Sequence, residues 1–165
     1  MELKGDILLR GTAWNKAIDE LSSIFKPRTN YMLFMLALSI GIMYDKTIEK
    51  VEDNGEDVRS VARNVIGNYD NGKLDFMFQA AIISTKTIDL AEDERLELAF
   101  GDEVSFKKID FLLAFANFGI TKIVENIGNT PIESMFNIKN FLVSTVEGRN
   151  LDIDSLPDDI LFEEN

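Results

Sequence analysis

Apolar residues recur three and four positions apart over most of the chain, which is the spacing of one face of an α-helix. The first such run follows Thr12, a predicted helix cap, and Pro27 is predicted to close that helix. A second helix is predicted to begin near Thr29 or Asn30 and to run to about Tyr44. Because it is apolar nearly all round, we expect it to lie at the centre of the core.

The helical pattern continues to the C-terminal region. Further helices are predicted over 58–66, 73–84, 92–100, 105–127 and 131–148, with a turn within 45–57 and a loop over 67–72. In the helix over 92–100, Leu96, Ala99 and Phe100 are predicted to face inward. Ile7–Leu9 indicates a short strand or an ordered arm, and no longer alternation favours a sheet. The predicted fold class is therefore all-α, a single compact bundle of about seven helices with an acidic C-terminal tail.

The predicted domain organisation is a helical domain over 1–148 and an acidic tail over 149–165. A chain of 165 residues is the size of one domain with a sizeable core, and 45% of its residues are hydrophobic. The tail has only scattered apolar residues among its acids. We therefore expect it to be dispensable for folding.

Two apolar segments resemble each other: Phe34–Ile42 and Phe111–Ile120. Each contains a glycine near its end, Gly41 in the first and Gly119 in the second. Such a glycine permits a left-handed helix cap or lets a neighbouring backbone approach closely. The spacing differs by one residue, so a duplicated unit and a chance similarity between two core helices both remain open.

The chain contains no cysteine and no histidine. This excludes disulfides, thiolate metal sites, the usual zinc sites, and nucleophilic catalysis by serine–histidine or cysteine–histidine pairs. No pair of carboxylates stands out among the acids as an acid–base pair. We therefore expect no catalytic residues, no cofactor and no metal, and a protein that is not an enzyme.

One motif matches part of a nucleotide-binding signature. Gly67–Lys73 fits the first seven positions of the phosphate-binding loop, in which backbone amides surround the phosphates and the next residue supplies a hydroxyl to magnesium. Here the next residue is Leu74, and Asp70 would place an anion inside an anion site. The segment before Gly67 also indicates a helix where a buried strand is needed. An Asp-Asn-Gly turn between helices is the favoured interpretation.

The charge of the chain is concentrated in two stretches. Asp89–Glu103 has seven carboxylates against Arg95 alone, and Asp152–Glu164 has six carboxylates and no base. These stretches hold 13 of the 29 acids and one of the 17 bases, so the rest is neutral and they carry the whole net charge of −12. The candidate partner-binding residues are Asp89, Glu92, Asp93, Glu94, Glu97, Asp102, Glu103, Asp158 and Asp159.

The acidic stretches predict a basic protein surface as partner, for example that of a nucleic-acid-binding protein; the alternative is that they only keep the chain soluble. Direct binding to nucleic acid is not expected in a negative field. Asp89, Glu92 and Asp93 also suggest a hard-cation site, but the calcium-loop pattern is absent and carboxylates at a helix start are favoured by the helix dipole.

The longest apolar run, Tyr31–Tyr44, is too short to cross a membrane, so a cytoplasmic protein is expected.

Two phrases in the apolar segments carry a family resemblance. Leu33–Ala37 with Ile40–Gly41, and later Phe115–Ile120, resemble small accessory proteins encoded beside bacterial DNA phosphorothioation-dependent restriction systems. In that family a helix with phenylalanine, alanine and then glycine comes early, and an alanine-asparagine-x-glycine phrase comes late. The resemblance covers about Pro27–Ile127 and implies a helical, non-catalytic component of a prokaryotic anti-phage system. It carries over no site residues, and the acidic stretches are not part of the family pattern.

The functional expectation is a non-catalytic helical accessory or adaptor protein that binds another protein in a prokaryotic DNA-defence or DNA-processing assembly. The alternative is an acidic DNA mimic that inhibits a nuclease or restriction enzyme. A mimic should spread its carboxylates in a double row with the spacing of phosphates, whereas these acids are clumped in a neutral body. The adaptor is therefore favoured, and the oligomeric state is left open.

The incomplete phosphate-loop motif makes a direct prediction. Because Leu74 replaces the magnesium-binding hydroxyl, calorimetric titration with ATP or GTP should show no magnesium-dependent binding. Micromolar binding that disappears in Lys73→Ala would contradict this.

Overall fold

The structure is a computed structural model that describes residues 4–55, 57–101 and 105–150. Over these residues the chain forms seven helices and one two-stranded sheet. In chain order they are β1 (Ile7–Leu9), α1 (Thr12–Leu21), α2 (Thr29–Tyr44), β2 (Arg59–Val61), α3 (Arg63–Tyr69), α4 (Lys73–Ser84), α5 (Glu92–Phe100), α6 (Lys108–Glu125) and α7 (Pro131–Asn150). The predicted all-α class is confirmed, with a minor sheet added.

The described residues form two compact units, one up to Glu125 and one from Asn126 onward. The first contains the sheet and α1–α6, and the second contains α7. The predicted boundary between a domain and a dispensable tail at 148/149 stays a prediction, since residues 151–165 lie outside those that the structure describes. None of the described helices has both the length and the apolar character that crossing a membrane requires.

The two mutually similar segments are packing partners at the centre of the first unit. A Cβ on Gly41 in α2 would overlap the backbone carbonyl of Phe115 in α6, and a Cβ on Gly119 would overlap that of Ala37. Each glycine therefore lies against the residue four positions before the other glycine, so the helices run antiparallel and their backbones nearly touch. Both predictions for this region, a central α2 and a glycine that admits a neighbouring backbone, are confirmed.

A buried polar contact holds α1 and the loop before β2 against α6. The indole N–H of Trp14 donates to Asn117 Oδ1 at 2.9 Å, and Asn117 Nδ2 donates to the carbonyls of Ile48 and Glu49 at 3.1 and 3.2 Å. Trp14 is fully buried and Asn117 is nearly so. Because buried polar groups are costly unless they are paired, this asparagine stabilises one particular arrangement of three segments.

The predicted helix over 58–66 is wrong in its first half. Arg59–Val61 forms β2, which pairs antiparallel with β1 through Ile7–Val61, Leu8–Ser60 and Leu9–Arg59. A strand of three residues is too short to show alternation, and its partner lies far away in sequence. The predicted short strand at Ile7–Leu9 is confirmed.

Other boundaries also differ from the predictions. Helix α3 extends to Tyr69, so the loop predicted over 67–72 is reduced to a turn at 70–72. Gly11, and not Thr12, precedes the first turn of α1, because the Thr12 hydroxyl donates to the carbonyl of Glu52. Helix α1 ends at Leu21, well before the predicted stop at Pro27, because a tight turn follows at once.

The later helices follow the predicted order. The bounds predicted for α4 and α5 are confirmed, and α2 begins and ends where expected. Helix α6 is shorter at both ends than the predicted 105–127, and α7 runs to Asn150, past the predicted end near 148.

The contact between α2 and α6 can be tested with one methyl group. Gly41→Ala should lower the free energy of unfolding by more than about 2 kcal/mol, because backbone and not a flexible side chain occupies the space. Urea denaturation followed by circular dichroism measures the change.

Gly67→Ala is the matched control. Gly67 lies inside α3, where a Cβ would meet nothing within 4 Å. There the higher helix propensity of alanine should raise stability by about 0.5–1 kcal/mol. Equal effects of the two substitutions would show that the helices do not touch at Gly41.

Candidate partner-binding surface

The acidic stretch forms a helix because its charges suit a helix start. Glu92, Asp93 and Glu94 occupy the first turn of α5, where carboxylates interact favourably with the positive end of the helix dipole. Glu94 Oε2 also accepts the backbone N–H of Ala91 at 2.9 Å, which satisfies one of the free donors at the helix start. Glu97 lies one turn further on and is exposed.

The single base of this stretch is used inside the fold. The Arg95 guanidinium donates to the backbone carbonyls of Ile82 and Thr85 at 2.9 and 2.8 Å, and to those of Ile88 and Leu90 at 3.0 and 3.2 Å. It thereby joins the end of α4, the connecting loop and α5. Within the described part of the chain, no ion pair involves a carboxylate of α5. The negative charge on this helix is therefore not neutralised.

An open groove of about 450 Å³ lies beside α5. Three carboxylates, three large apolar side chains and one serine line it: Asp93, Glu94, Glu97, Leu90, Leu98, Phe106 and Ser105. The apolar residues are half-buried and the acids are exposed. Such a groove suits a lysine or arginine side chain, whose apolar stem packs on hydrophobic surface while its charged end meets a carboxylate.

Five of the nine predicted partner-binding residues lie in the described part of the chain, four of them on α5. Helix α5 brings Glu92, Asp93, Glu94 and Glu97 together, and the last three of these line the groove. Asp89 is exposed in the loop before α5. The other four predicted residues, which are Asp102, Glu103, Asp158 and Asp159, lie outside the described residues.

Two apolar side chains of α5 do not face inward as predicted. Ala99 is buried, but Leu96 is 49% exposed and Phe100 is 64% exposed. The reason is that Arg95, together with Ala99, occupies the inward side of this short helix. Sequence spacing did not reveal this, because an arginine would not be assigned to the inner side of a helix. The acidic surface therefore includes exposed apolar groups as well.

The segment that matches the phosphate-loop motif has a different geometry. Gly67 lies inside α3, and Asp70 is a buried carboxylate that accepts the Tyr31 hydroxyl at 3.0 Å and the backbone N–H of Leu74 at 3.1 Å. The carboxylate of Asp70 thus occupies the N-terminal end of α4, where a phosphate would have to bind. Burial, and then the hydrogen bond to Asp70, raise the pKa of Tyr31 to about 12. This arrangement supports the interpretation of the motif as a structural turn.

The described residues contain no group of three or more carboxylates placed to hold a metal ion. A cavity of about 400 Å³ lies between β1, the segment 49–53 and α6, and its charged groups have both signs. One of them, Asp6, already accepts the Ser60 hydroxyl and the Arg63 backbone N–H. The groove beside α5 differs because all its charges have one sign.

No protein-family model matches the chain, and searches of the curated proteins and of the solved structures find no significant match.

Arg95 should be essential for the position of α5. Arg95→Lys keeps the charge, but a lysine lacks the planar guanidinium that donates to four carbonyls. The substitution should therefore lower the free energy of unfolding by about 1–3 kcal/mol. Hydrogen exchange of the amides in α5 should also become faster. Arg63→Lys, at an exposed arginine of α3, is the control and should change stability by less than about 0.5 kcal/mol. An Arg95→Lys variant as stable as this control would show that the four carbonyl contacts do not hold the helix.

Proposed function

We propose that this protein is a non-catalytic helical accessory or adaptor protein that binds a basic surface of another protein through α5. The observation that carries the proposal is the unneutralised row of carboxylates around a groove with apolar walls. Arg95 is engaged with backbone carbonyls, so the charge is available to a partner. The family resemblance of the two apolar segments suggests a prokaryotic DNA-defence or DNA-processing assembly as the setting.

The chemistry of the groove indicates what the partner should present. A lysine or arginine that enters beside Glu94 and Glu97 would have apolar surface for its stem on Leu98 and Phe106 and carboxylates for its charged end. Exposed Leu96 and Phe100 add apolar area on the same helix. The partner surface should therefore be both basic and apolar, as in an amphipathic basic helix.

A DNA mimic is the alternative, and the charge geometry of α5 favours it less. A helix of nine residues is about 14 Å long, and a stretch of duplex DNA of that length carries about eight phosphate charges in two rows. Helix α5 carries four carboxylates, and three of them border one groove. With Arg95 included, the nine residues carry a net charge of −3, which is less than half of what a duplex of that length would present.

Removing the charge from α5 tests the proposal. A variant with Glu92→Gln, Asp93→Asn, Glu94→Gln and Glu97→Gln keeps side-chain size and should still fold, at a cost of about 0.3–1 kcal/mol for each first-turn carboxylate that loses its interaction with the helix dipole. It should associate more slowly with a labelled amphipathic Lys/Leu peptide in stopped-flow measurements. Its association rate should also depend less on salt than that of the parent, because salt shortens the Debye length from about 10 Å at 0.1 M to about 3 Å at 1 M.

A second amide variant separates local charge from total charge. Glu20→Gln, Glu49→Gln, Glu52→Gln and Asp57→Asn remove four exposed charges elsewhere on the first unit. This variant should bind the peptide nearly as fast as the parent. If both variants slow association equally, only the net charge matters and α5 is a solvated surface.

Purification from the native cell then addresses the class of partner. The parent should recover a protein that the α5 amide variant does not recover and that the control variant does. If that protein is a nuclease or restriction enzyme that no longer binds DNA in the complex, the DNA-mimic alternative is the correct one.

A further inference from the structure

Helix α7 has two apolar sides, and one of them is exposed. The side that carries Ser134 and Ile138 is buried. The other side carries an exposed stripe that spans four turns of the helix. The stripe consists of Ile132, Met135, Phe136, Val143 and Val146, which are 45–67% exposed. Lys139 is the one charged residue within the stripe, and it is also exposed.

The stripe is self-complementary under a twofold rotation. At 100° per residue, its five apolar residues and Lys139 fall within an arc of about 100°. Four of them are arranged evenly about position 139: Ile132 with Val146, and Met135 with Val143. Phe136 corresponds to position 142, where the half-buried Leu142 borders the stripe. In an antiparallel pair of α7 helices, Ile132 would face Val146 of the second copy and Met135 would face Val143. In these two pairs a large residue packs against a small one.

The available area is sufficient for a weak specific dimer. Each of the five apolar side chains leaves on the order of 100 Å² exposed, so one stripe offers about 500 Å². Two stripes bury at most about 1,000 Å² in total, which is near the lower limit for a specific interface.

We propose that the exposed stripe of α7 is a homodimer interface in which two copies pack antiparallel about Lys139. A lysine at the centre of an apolar helix contact lowers affinity, because its charged end must stay in water. It also sets the register, because other alignments of the two helices would bury that charge. The interface is isologous, so every pair of different residues occurs twice, Lys139 meets its own copy at the axis, and the assembly closes at two copies.

Salt dependence distinguishes this contact from binding to a basic partner. Two chains of net charge −12 repel each other, and salt screens that repulsion. Sedimentation equilibrium on the full chain should therefore show a monomer–dimer equilibrium that shifts toward the dimer between about 0.05 and 0.5 M NaCl. A chain that is monomeric at about 0.2 mM in both salts would overturn the proposal, whatever else covers the stripe.

A substitution in the stripe tests its location. Phe136→Gln removes an aromatic side chain that is half exposed and should weaken the dimer by more than about tenfold, since each dimer contains the change twice. Phe76→Gln on α4 is the matched control, because Phe76 is 67% exposed and lies outside the stripe. The control should leave the dimer constant within about twofold, and equal effects of both substitutions would overturn the assignment to α7.

The absence of native cysteine allows a test of the antiparallel register. Lys139→Cys places two thiols across the twofold axis, where they should form an intermolecular disulfide under glutathione disulfide. Asn140→Cys is exposed on the same helix but is turned by about 100°, and it should cross-link at least about tenfold more slowly. Equal rates for the two variants would exclude this register.

Discussion

The rest of the first unit depends on the close contact between the backbones of α2 and α6. At Gly41 and Gly119 a hydrogen atom is all that fits between one helix and the carbonyl of the other. With any larger side chain at either position the helices would have to separate, which would open cavities beside neighbouring core residues such as Phe34 and Phe115. The antiparallel pair is therefore the rigid element against which α1, the sheet and the loop before β2 are placed.

Three polar side chains then hold the irregular segments in position. Asn117 binds Trp14 and two backbone carbonyls, Asp70 binds Tyr31 and the start of α4, and Arg95 binds four carbonyls around α5. Each one satisfies backbone or side-chain groups that would otherwise be buried without partners. Because Arg95 donates to backbone carbonyls, the carboxylates of α5 form no ion pair with a base within the described part of the fold. The composition of α5 makes its surface acidic, and the anchoring of Arg95 leaves the carboxylates without an ion-pair partner on their own helix.

The two proposed interaction surfaces have opposite physical origins. The surface on α5 combines charge of one sign with a small apolar groove, so long-range attraction dominates its encounter with a partner. The stripe on α7 is apolar and must form its contact against the repulsion of two acidic chains. A protein with both kinds of surface can associate with itself and with a basic partner through different helices, which is consistent with an adaptor.

The residues that carry the family resemblance lie in α2 and α6 and not on either proposed surface. Among them, Gly41 and Asn117 act in packing.

The sequence by itself determined the helical class, the bounds of α2, α4 and α5, and the location of the charge, because apolar spacing and composition are local properties of the chain. It did not determine β2, whose partner strand lies far away in sequence, nor the exposure of Leu96 and Phe100. Periodicity indicates which residues share a side of a helix, but not which side meets another segment. Arg95 illustrates the difference: its spacing placed it among the acids of an exposed helix, and only contacts with α4 and the connecting loop turned it inward. Those contacts form between separate segments, so tertiary structure alone decided them.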